Sequence, residues 1–247
     1  MRPEQITDQQ IQDFITAGLY EDIREGDHTS LATIPADSRS RAVLKVKDYG
    51  VLAGVELAQK IFTHIDPSSS LTIHKPDGTD VLFGEIAFEV EGNTRALLQA
   101  ERLVLNAMQR MSGIATRTQA YVKAIEGTSA KVIDTRKTTP HLRFLEKYAV
   151  TVGGGANHRF GLYDMIMLKD NHIDFCGGIT KAIKKVHAYL QEQQLDLRIE
   201  VETRNLDHVK EALECGGIHR IMLDNFTPEL VREAVGHIRQ QADAGQQ

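Results

Sequence analysis

The sequence predicts an α/β protein in which a small α+β layer is followed by repeated strand–helix units forming a parallel sheet or barrel. Two observations carry that expectation. The first is a change of pattern along the chain. Up to Val90 some strand segments alternate apolar and polar residues, whereas after Ser112-Gly113 short apolar runs alternate strictly with helical segments. The second is that five apolar runs end in polar or charged groups. Residues 131–134 lead into Thr135-Arg136-Lys137, residues 150–152 into Gly153-Gly154-Gly155 and Asn157-His158-Arg159, and residues 165–168 into Lys169-Asp170-Asn171-His172. The last two are residues 198–202, which carry Glu200 and Glu202, and residues 220–223, which lead into Asp224-Asn225. Continuous apolar runs suit strands buried on both faces, and ligands of such folds bind at the carboxyl ends of the strands.

The elements follow in order. Thr7 and Gln10 form a capping box ahead of Ile11, Phe14, Ile15 and Leu19, which share one helical face. Ala42, Leu44 and Val46 alternate with Arg41, Lys45 and Lys47, the pattern of a half-exposed strand. Leu57, Ala58, Ile61, Phe62 and Ile65 mark a helix that Pro67-Ser68-Ser69-Ser70 ends. Residues 71–73 and the alternating Ile86, Phe88 and Val90 supply two more strands, with Pro76-Asp77-Gly78 as a turn. Residues 94–111 form a long helix with an apolar stripe through Leu97, Ala100, Val104, Ala107, Met108 and Met111, and it is expected to end at Gly113. Further helices are expected over residues 141–148, 178–192, 206–215 and 228–240. The domain boundary is placed near residue 111, giving domains of residues 1–111 and 112–247.

Composition excludes several classes. A net charge of -5 over 247 residues argues against a nucleic-acid binder held by bulk charge. Cys176 and Cys215 cannot build a disulfide framework and form no CxxC pair. Residues 1–10 lack the apolar core of a signal peptide, and no run approaches the ~18 apolar residues of a membrane helix. The expectation is a cytoplasmic protein with neither nucleic-acid nor membrane partners.

The chemistry lies at the strand ends. Arg136, Lys137, Arg159 and Lys169 are four fixed cations, and His158 adds a titratable imidazole. Cations converging in a partly desolvated cleft repel one another unless an anion joins them, so the cluster calls for a substrate with several negative charges. Glu200 and Glu202, at i and i+2 on a strand, project to one face, and Asp224 joins them from the next strand. Such carboxylates serve Mg²⁺ through water and substrate oxygens, accept hydrogen bonds from sugar hydroxyls, or act as counter-ions of the cations. The glycine run matches neither GxGxxG nor GxxxxGK[ST] and instead lets the backbone turn sharply and approach a ligand. Asp170 and His172 lack the spacing of a transition-metal site.

At these residues the chain resembles quinolinate phosphoribosyltransferase. The resemblance covers Gly26-Asp27-His28-Thr29, Gly50-Val51-Leu52-Ala53-Gly54, Ala100-Glu101-Arg102, Ser112-Gly113-Ile114-Ala115-Thr116 and Asp134-Thr135-Arg136-Lys137-Thr138-Thr139-Pro140. It continues through the glycine run to Asn157-His158-Arg159, then Leu168-Lys169-Asp170-Asn171-His172, Glu200-Val201-Glu202 and Met222-Leu223-Asp224-Asn225. It implies an N-terminal α/β sandwich domain and a parallel, TIM-like α/β barrel of fewer than eight strands. The family pattern runs on past Asp224-Asn225 through further phosphate-binding strands, so this barrel, ending in a polar tail at Gln247, is expected to be truncated at its C-terminus.

The reaction implied is quinolinate plus phosphoribosyl pyrophosphate to nicotinate mononucleotide, CO₂ and pyrophosphate, with Mg²⁺, in a homodimer or higher oligomer that shares its active sites. By resemblance, Arg136, His158, Arg159 and Lys169 hold the quinolinate carboxylates, and Arg102 reaches in from the partner subunit. Thr135 lies on the same substrate loop, and Lys137 serves the pyrophosphate. Glu202, with Glu200 close by, and Asp224 bind the ribose and its metal. Lys169, Glu202 and Asp224 are the catalytic candidates, and Lys169 or Arg136 would assist decarboxylation. The alternatives are a non-catalytic anion-binding subunit of the same fold and a related transferase for another anionic heterocycle.

Overall fold

The computed structural model describes residues 2–244; Met1 and residues 245–247 of the expected polar tail lie outside the described residues. Contacts divide the chain into two units, one ending at His158 and the other starting at Arg159.

In the first unit, α1 (Asp8–Ile23) begins at the expected capping box. The Thr7 hydroxyl accepts the Gln10 N–H, the Gln10 side chain accepts the Thr7 N–H at 2.9 Å, and Ile11 and Ile15 are buried. α2 (His28–Thr33) has too few residues to show a period, and Asp27 caps it by accepting the Ser30 N–H at 3.0 Å. β1 (Arg39–Lys45), β2 (Gly50–Val51), α3 (Val55–Ile65), β3 (Ser70–Ile73), β4 (Asp80–Val81) and β5 (Ile86–Asn93) follow. They form an antiparallel sheet in the order β1-β5-β3 and a short β2-β4 pair. Phe88 on β5 lies opposite both Leu44 and Ile73, and the ring of Phe62 on α3 meets it edge-on.

α4 (Thr94–Ala124) starts at Asn93, whose side chain accepts the Arg95 and Ala96 N–H groups. It carries the predicted apolar stripe but runs past Gly113. One exposed glycine costs a helix only ~1 kcal/mol, and Ala115 and Thr118 extend the buried stripe beyond it.

α5 (Arg143–Val152) corrects the sequence reading more deeply. The expected strand at residues 150–152 is the last turn of this helix, and the helix starts at Arg143 rather than His141. Six consecutive residues, Phe144 to Ala149, are buried, so α5 shows no polar stripe. Val150, Thr151 and Val152, three β-branched or apolar residues at the end of that helix, carry the composition of a buried strand. Residues 131–134 likewise form no strand of a sheet; Ile133 makes a single parallel bridge to Ala156.

The second unit contains β6 (Ile166–Leu168), α6 (Asp170–Cys176), α7 (Ile179–Glu192), β7 (Ile199–Thr203), α8 (Leu206–Cys215), β8 (Arg220–Leu223) and α9 (Pro228–Ala244). The strands form a parallel sheet in the order β6-β7-β8, with Met167 opposite Glu200 and Glu202 opposite Met222. Three of the five predicted runs are therefore strands of this sheet. Leu168, Ile199 and Val201 pack with Ile173, Ile179, Ala182, Ile183 and Ala212 in an apolar core. Because side chains alternate along a strand, Met167, Glu200, Glu202, Arg220 and Met222 project to the other face. No described helix is long and apolar enough to cross a membrane.

Two glycines test these assignments. A Cβ at Gly153 would strike the Ala115 carbonyl oxygen and crowd Thr118 at 2.8 Å, whereas one at Gly113 meets nothing within 4 Å. Gly153→Ala is expected to destabilise by about 1–3 kcal/mol through overpacking. Gly113→Ala is expected to stabilise by about 0.5–1 kcal/mol, read by chemical denaturation; a loss at Gly113 would mean that α4 is interrupted there.

Candidate active site

In the first unit the site is built around a buried ion pair. Lys147 on α5 is 0 % exposed and pairs with the Asp134 carboxylate. That carboxylate also accepts the Asn157 side-chain amide at 2.5 Å and the His158 N–H at 2.8 Å. The Lys147 ammonium donates in addition to the His158 carbonyl at 3.1 Å, and the Asn157 amide to the Lys147 carbonyl at 2.9 Å. One carboxylate thus ties the start of the 134–140 loop to the Asn157-His158 segment. A buried charge is tolerated only when paired and hydrogen-bonded, and both partners here meet that condition.

The far end of the loop is held separately. Arg143 donates to the Thr138 hydroxyl at 3.0 Å, and Glu146 accepts the Thr139 N–H at 3.1 Å. Between these anchors the Thr135 hydroxyl accepts the Lys137 N–H at 3.0 Å, a local turn that leaves Lys137 exposed. Arg136 is half-buried, and its Nε–H is buried without a hydrogen-bond partner. Such a donor has lost its water and gains strongly when a carboxylate or phosphate arrives. His158 is buried at 9 % exposure. Arg102 is exposed on α4 and lines a cavity of about 350 Å³ with Asn106, Arg110, Glu21 and Asp22.

In the second unit, the polar face of the sheet carries the remaining candidates. Glu200 is 1 % exposed and takes a hydrogen bond from Arg220 at 3.2 Å. Glu202 is also buried, and its carboxyl is pushed above the usual range, first by desolvation and then by the Asp224 charge, with Lys169 opposing. Lys169, Glu202 and Asp224 therefore share one electrostatic neighbourhood. Asp224 is positioned by its N–H bond to the Thr203 carbonyl at 3.1 Å, and Lys169 by donating its N–H to His172 Nδ1 at 3.0 Å. The buried Arg159 donates to the Met165 carbonyl at 3.2 Å. Asp164 accepts the Phe160 and Gly161 N–H groups at 2.7 and 2.9 Å, closing the turn after it.

The sequence reading passed over the residues that do the holding: Arg143, Glu146, Lys147, Asp164 and Arg220. One signal was available. A glutamate and a lysine inside Leu145-Glu146-Lys147-Tyr148-Ala149-Val150 cannot be buried in a helix without partners. Among the described residues no group of three or more His, Cys, Asp or Glu side chains is arranged to hold a metal.

Residues 27–112 match the family model for the quinolinate phosphoribosyl transferase N-terminal domain, and residues 114–245 that for its C-terminal domain. A chloroplastic nicotinate-nucleotide pyrophosphorylase (carboxylating) of Arabidopsis thaliana is 46 % identical over 87 % of this chain and 63 % of its own length. A mitochondrial quinolinate phosphoribosyltransferase (decarboxylating) of Nicotiana glauca is 46 % identical over 83 % of this chain and 59 % of its own. The chain thus spans about three fifths of the length of these curated relatives. Among solved structures, NadC from Streptococcus pyogenes superposes with a TM-score of 0.89 at 41 % identity, covering 96 % of this chain and 82 % of that one.

Lys147→Met is expected to cost about 3–5 kcal/mol, since it strands a buried carboxylate, and Lys147→Met/Asp134→Leu to cost less than the single change. A single variant within 1 kcal/mol of wild type, by the usual ~1 kcal/mol scale of ordinary substitutions, would show that Asp134 does not depend on Lys147. Glu202 gives a pH test. A carboxyl raised in the folded state holds its proton there more tightly than in the unfolded chain, so stability falls as pH climbs from the unfolded value through the folded one. Glu202→Gln is therefore expected to raise the melting temperature by about 2 °C at pH 7.5 and to have no effect at about pH 3.5. A gain that is independent of pH would remove Glu202 as the strained charge.

Proposed function

The chain belongs to the quinolinate phosphoribosyltransferase family, and from that premise we propose that it joins quinolinate to the phosphoribosyl group of phosphoribosyl pyrophosphate. The products are nicotinate mononucleotide, CO₂ and pyrophosphate, a step of NAD biosynthesis. The observation that supports this reading best is Arg136, a guanidinium held on a loop fixed at both ends, with a buried N–H left for an incoming anion.

In the first step the pyridine nitrogen forms a bond to C1′ of the ribose while the bond from C1′ to the pyrophosphate oxygen breaks. Catalysis there is mostly a matter of holding two anions in line against their repulsion, and of placing carboxylates beside the cationic ribose. Arg136, His158, Arg159 and Lys169 take the two quinolinate carboxylates. Lys137 serves the pyrophosphate, with Thr135 on the same substrate loop, and Glu200, Glu202 and Asp224 face the ribose. In the second step the bond from C2 to its carboxylate breaks, CO₂ departs, and the electron pair left on C2 takes up a proton. The adjacent ring nitrogen, now quaternary, stabilises that pair, and Lys169 or Arg136 adds a further positive charge.

Mg²⁺ fits as a substrate-borne ion. It needs only one or two protein carboxylates beside substrate phosphates, and Glu202, raised in part by the neighbouring Asp224 charge, offers that pair together with Asp224. When bound it neutralises charge on the departing pyrophosphate. The assembly is a homodimer in which Arg102 reaches the partner's site, and the three-stranded sheet belongs to a barrel of fewer than eight strands.

The test is release of labelled CO₂ from carboxyl-labelled quinolinate. It is expected only with phosphoribosyl pyrophosphate and Mg²⁺ both present, and quinolinate binding without turnover would favour the non-catalytic, anion-binding reading. Arg136→Ala is expected to weaken quinolinate binding at least about tenfold, the scale of one lost charge-assisted bond. Mixing inactive Arg102→Ala and Lys169→Ala proteins should restore turnover, and failure to do so would remove the cross-subunit role.

A further inference from the structure

Arg110 lies on α4, and its guanidinium closes a small ring of hydrogen bonds. Its Nε donates to Glu146 Oε1 at 2.7 Å, its Nη2 approaches the same oxygen at 2.5 Å, and Nη2 also donates to the Thr139 hydroxyl at 2.5 Å. Glu146 Oε2 completes the ring by accepting the Thr139 N–H at 3.1 Å. The N–H and the hydroxyl of Thr139 are thereby fixed, three residues beyond Arg136, and Pro140 stiffens the backbone immediately after. Glu146 is 8 % exposed and Arg110 is its cationic partner; without it, the carboxylate would be left in a poorly solvated site beside the loop.

The effect of Arg110 is local to the loop. α5 does not rely on it, because Lys147 is paired with Asp134, Tyr148 donates to Asp77 at 3.0 Å, and Phe144 packs edge-on against Phe14. Arg110 itself is half-exposed. A half-exposed arginine that spends three donor contacts on one buried carboxylate and one loop threonine is oriented for geometry rather than for bulk stability.

We propose that Arg110 is a positioning residue that sets the placement of Arg136 through Glu146 and Thr139, and so governs affinity for the dianionic pyridine substrate. The inference rests on the substrate role proposed for Arg136. Lysine cannot replace the fork: an ammonium neutralises Glu146 but does not bridge it to Thr139 in the same plane.

The experiment compares wild type with Arg110→Gln and Arg110→Lys in the full chain. Both variants are expected to raise the KM for quinolinate about tenfold while kcat stays within about twofold and the KM for phosphoribosyl pyrophosphate is unchanged, the pattern of lost uniform binding. Arg110→Lys should keep the wild-type melting temperature yet not recover the quinolinate KM. A full recovery by lysine, or a fall in kcat with both KM values rising together with instability, would overturn the proposal. Amide hydrogen exchange at Lys137, Thr138 and Thr139 reads the loop with no ligand present. It should quicken in both variants with the α5 amides unaffected, and unchanged exchange would also overturn the proposal. If wild type shows no turnover, the proposed function fails on its own, and exchange still decides the role of Arg110.

Discussion

The first unit depends on one constraint: α5 is buried on every side, yet three consecutive residues within it are polar. Glu146, Lys147 and Tyr148 point in directions about 100° apart around the helix, and none reaches bulk water. Each therefore needs a protein partner, and the partners come from the two ends of the 134–140 loop and from the turn at Asp77. Glu146 meets Thr139, Lys147 meets Asp134, and Tyr148 meets Asp77, whose other oxygen accepts the Val55 N–H at the start of α3. Burial pushes the Asp77 carboxyl and the Tyr148 phenol both above their usual ranges, which favours the neutral, hydrogen-bonded phenol. The 134–140 loop is thus ordered by the same demand for satisfied polar groups that orders the core.

The second unit solves a related problem with a sheet. Every residue of β7 is buried, but its two faces hold opposite chemistries. Ile199 and Val201 join the hydrocarbon core under α7 and α8, while Glu200 and Glu202 sit among Arg220, Lys169 and Asp224. Glu200 has a guanidinium donor, and Glu202 has a neighbouring carboxylate, so the two are not equivalent. The first takes a guanidinium donor, whereas the second is raised by desolvation and by a neighbouring carboxylate, so their electrostatic settings differ.

Much of this was legible in the residues and some was not. The capping box at Thr7, the runs at Ile166–Leu168 and Arg220–Leu223 and the parity of Glu200 with Glu202 could be read because local chemistry and burial agree there. α2, β2 and β4 are too short to display a period. Val150-Thr151-Val152 misled because β-branched residues at the end of a buried helix carry the composition of a strand, and tertiary burial overrode that local preference. The roles of Arg143, Glu146 and Arg220 were hidden for a different reason: each acts across a separation in sequence or through a partner's carbonyl, and a string of residue types does not display such pairings.

The alternation along β7 also bears on how the chain finds its fold. A slip of one residue during assembly of the sheet would thrust Glu200 and Glu202 into the hydrocarbon layer and bring Ile199, Val201 and Thr203 out among the ions. Desolvating two charges without counter-ions is among the most costly errors open to a nascent sheet. The two glutamates therefore act as proofreaders of strand alignment. Replacing them with apolar residues would blunt discrimination against misaligned strands even where the native state became more stable.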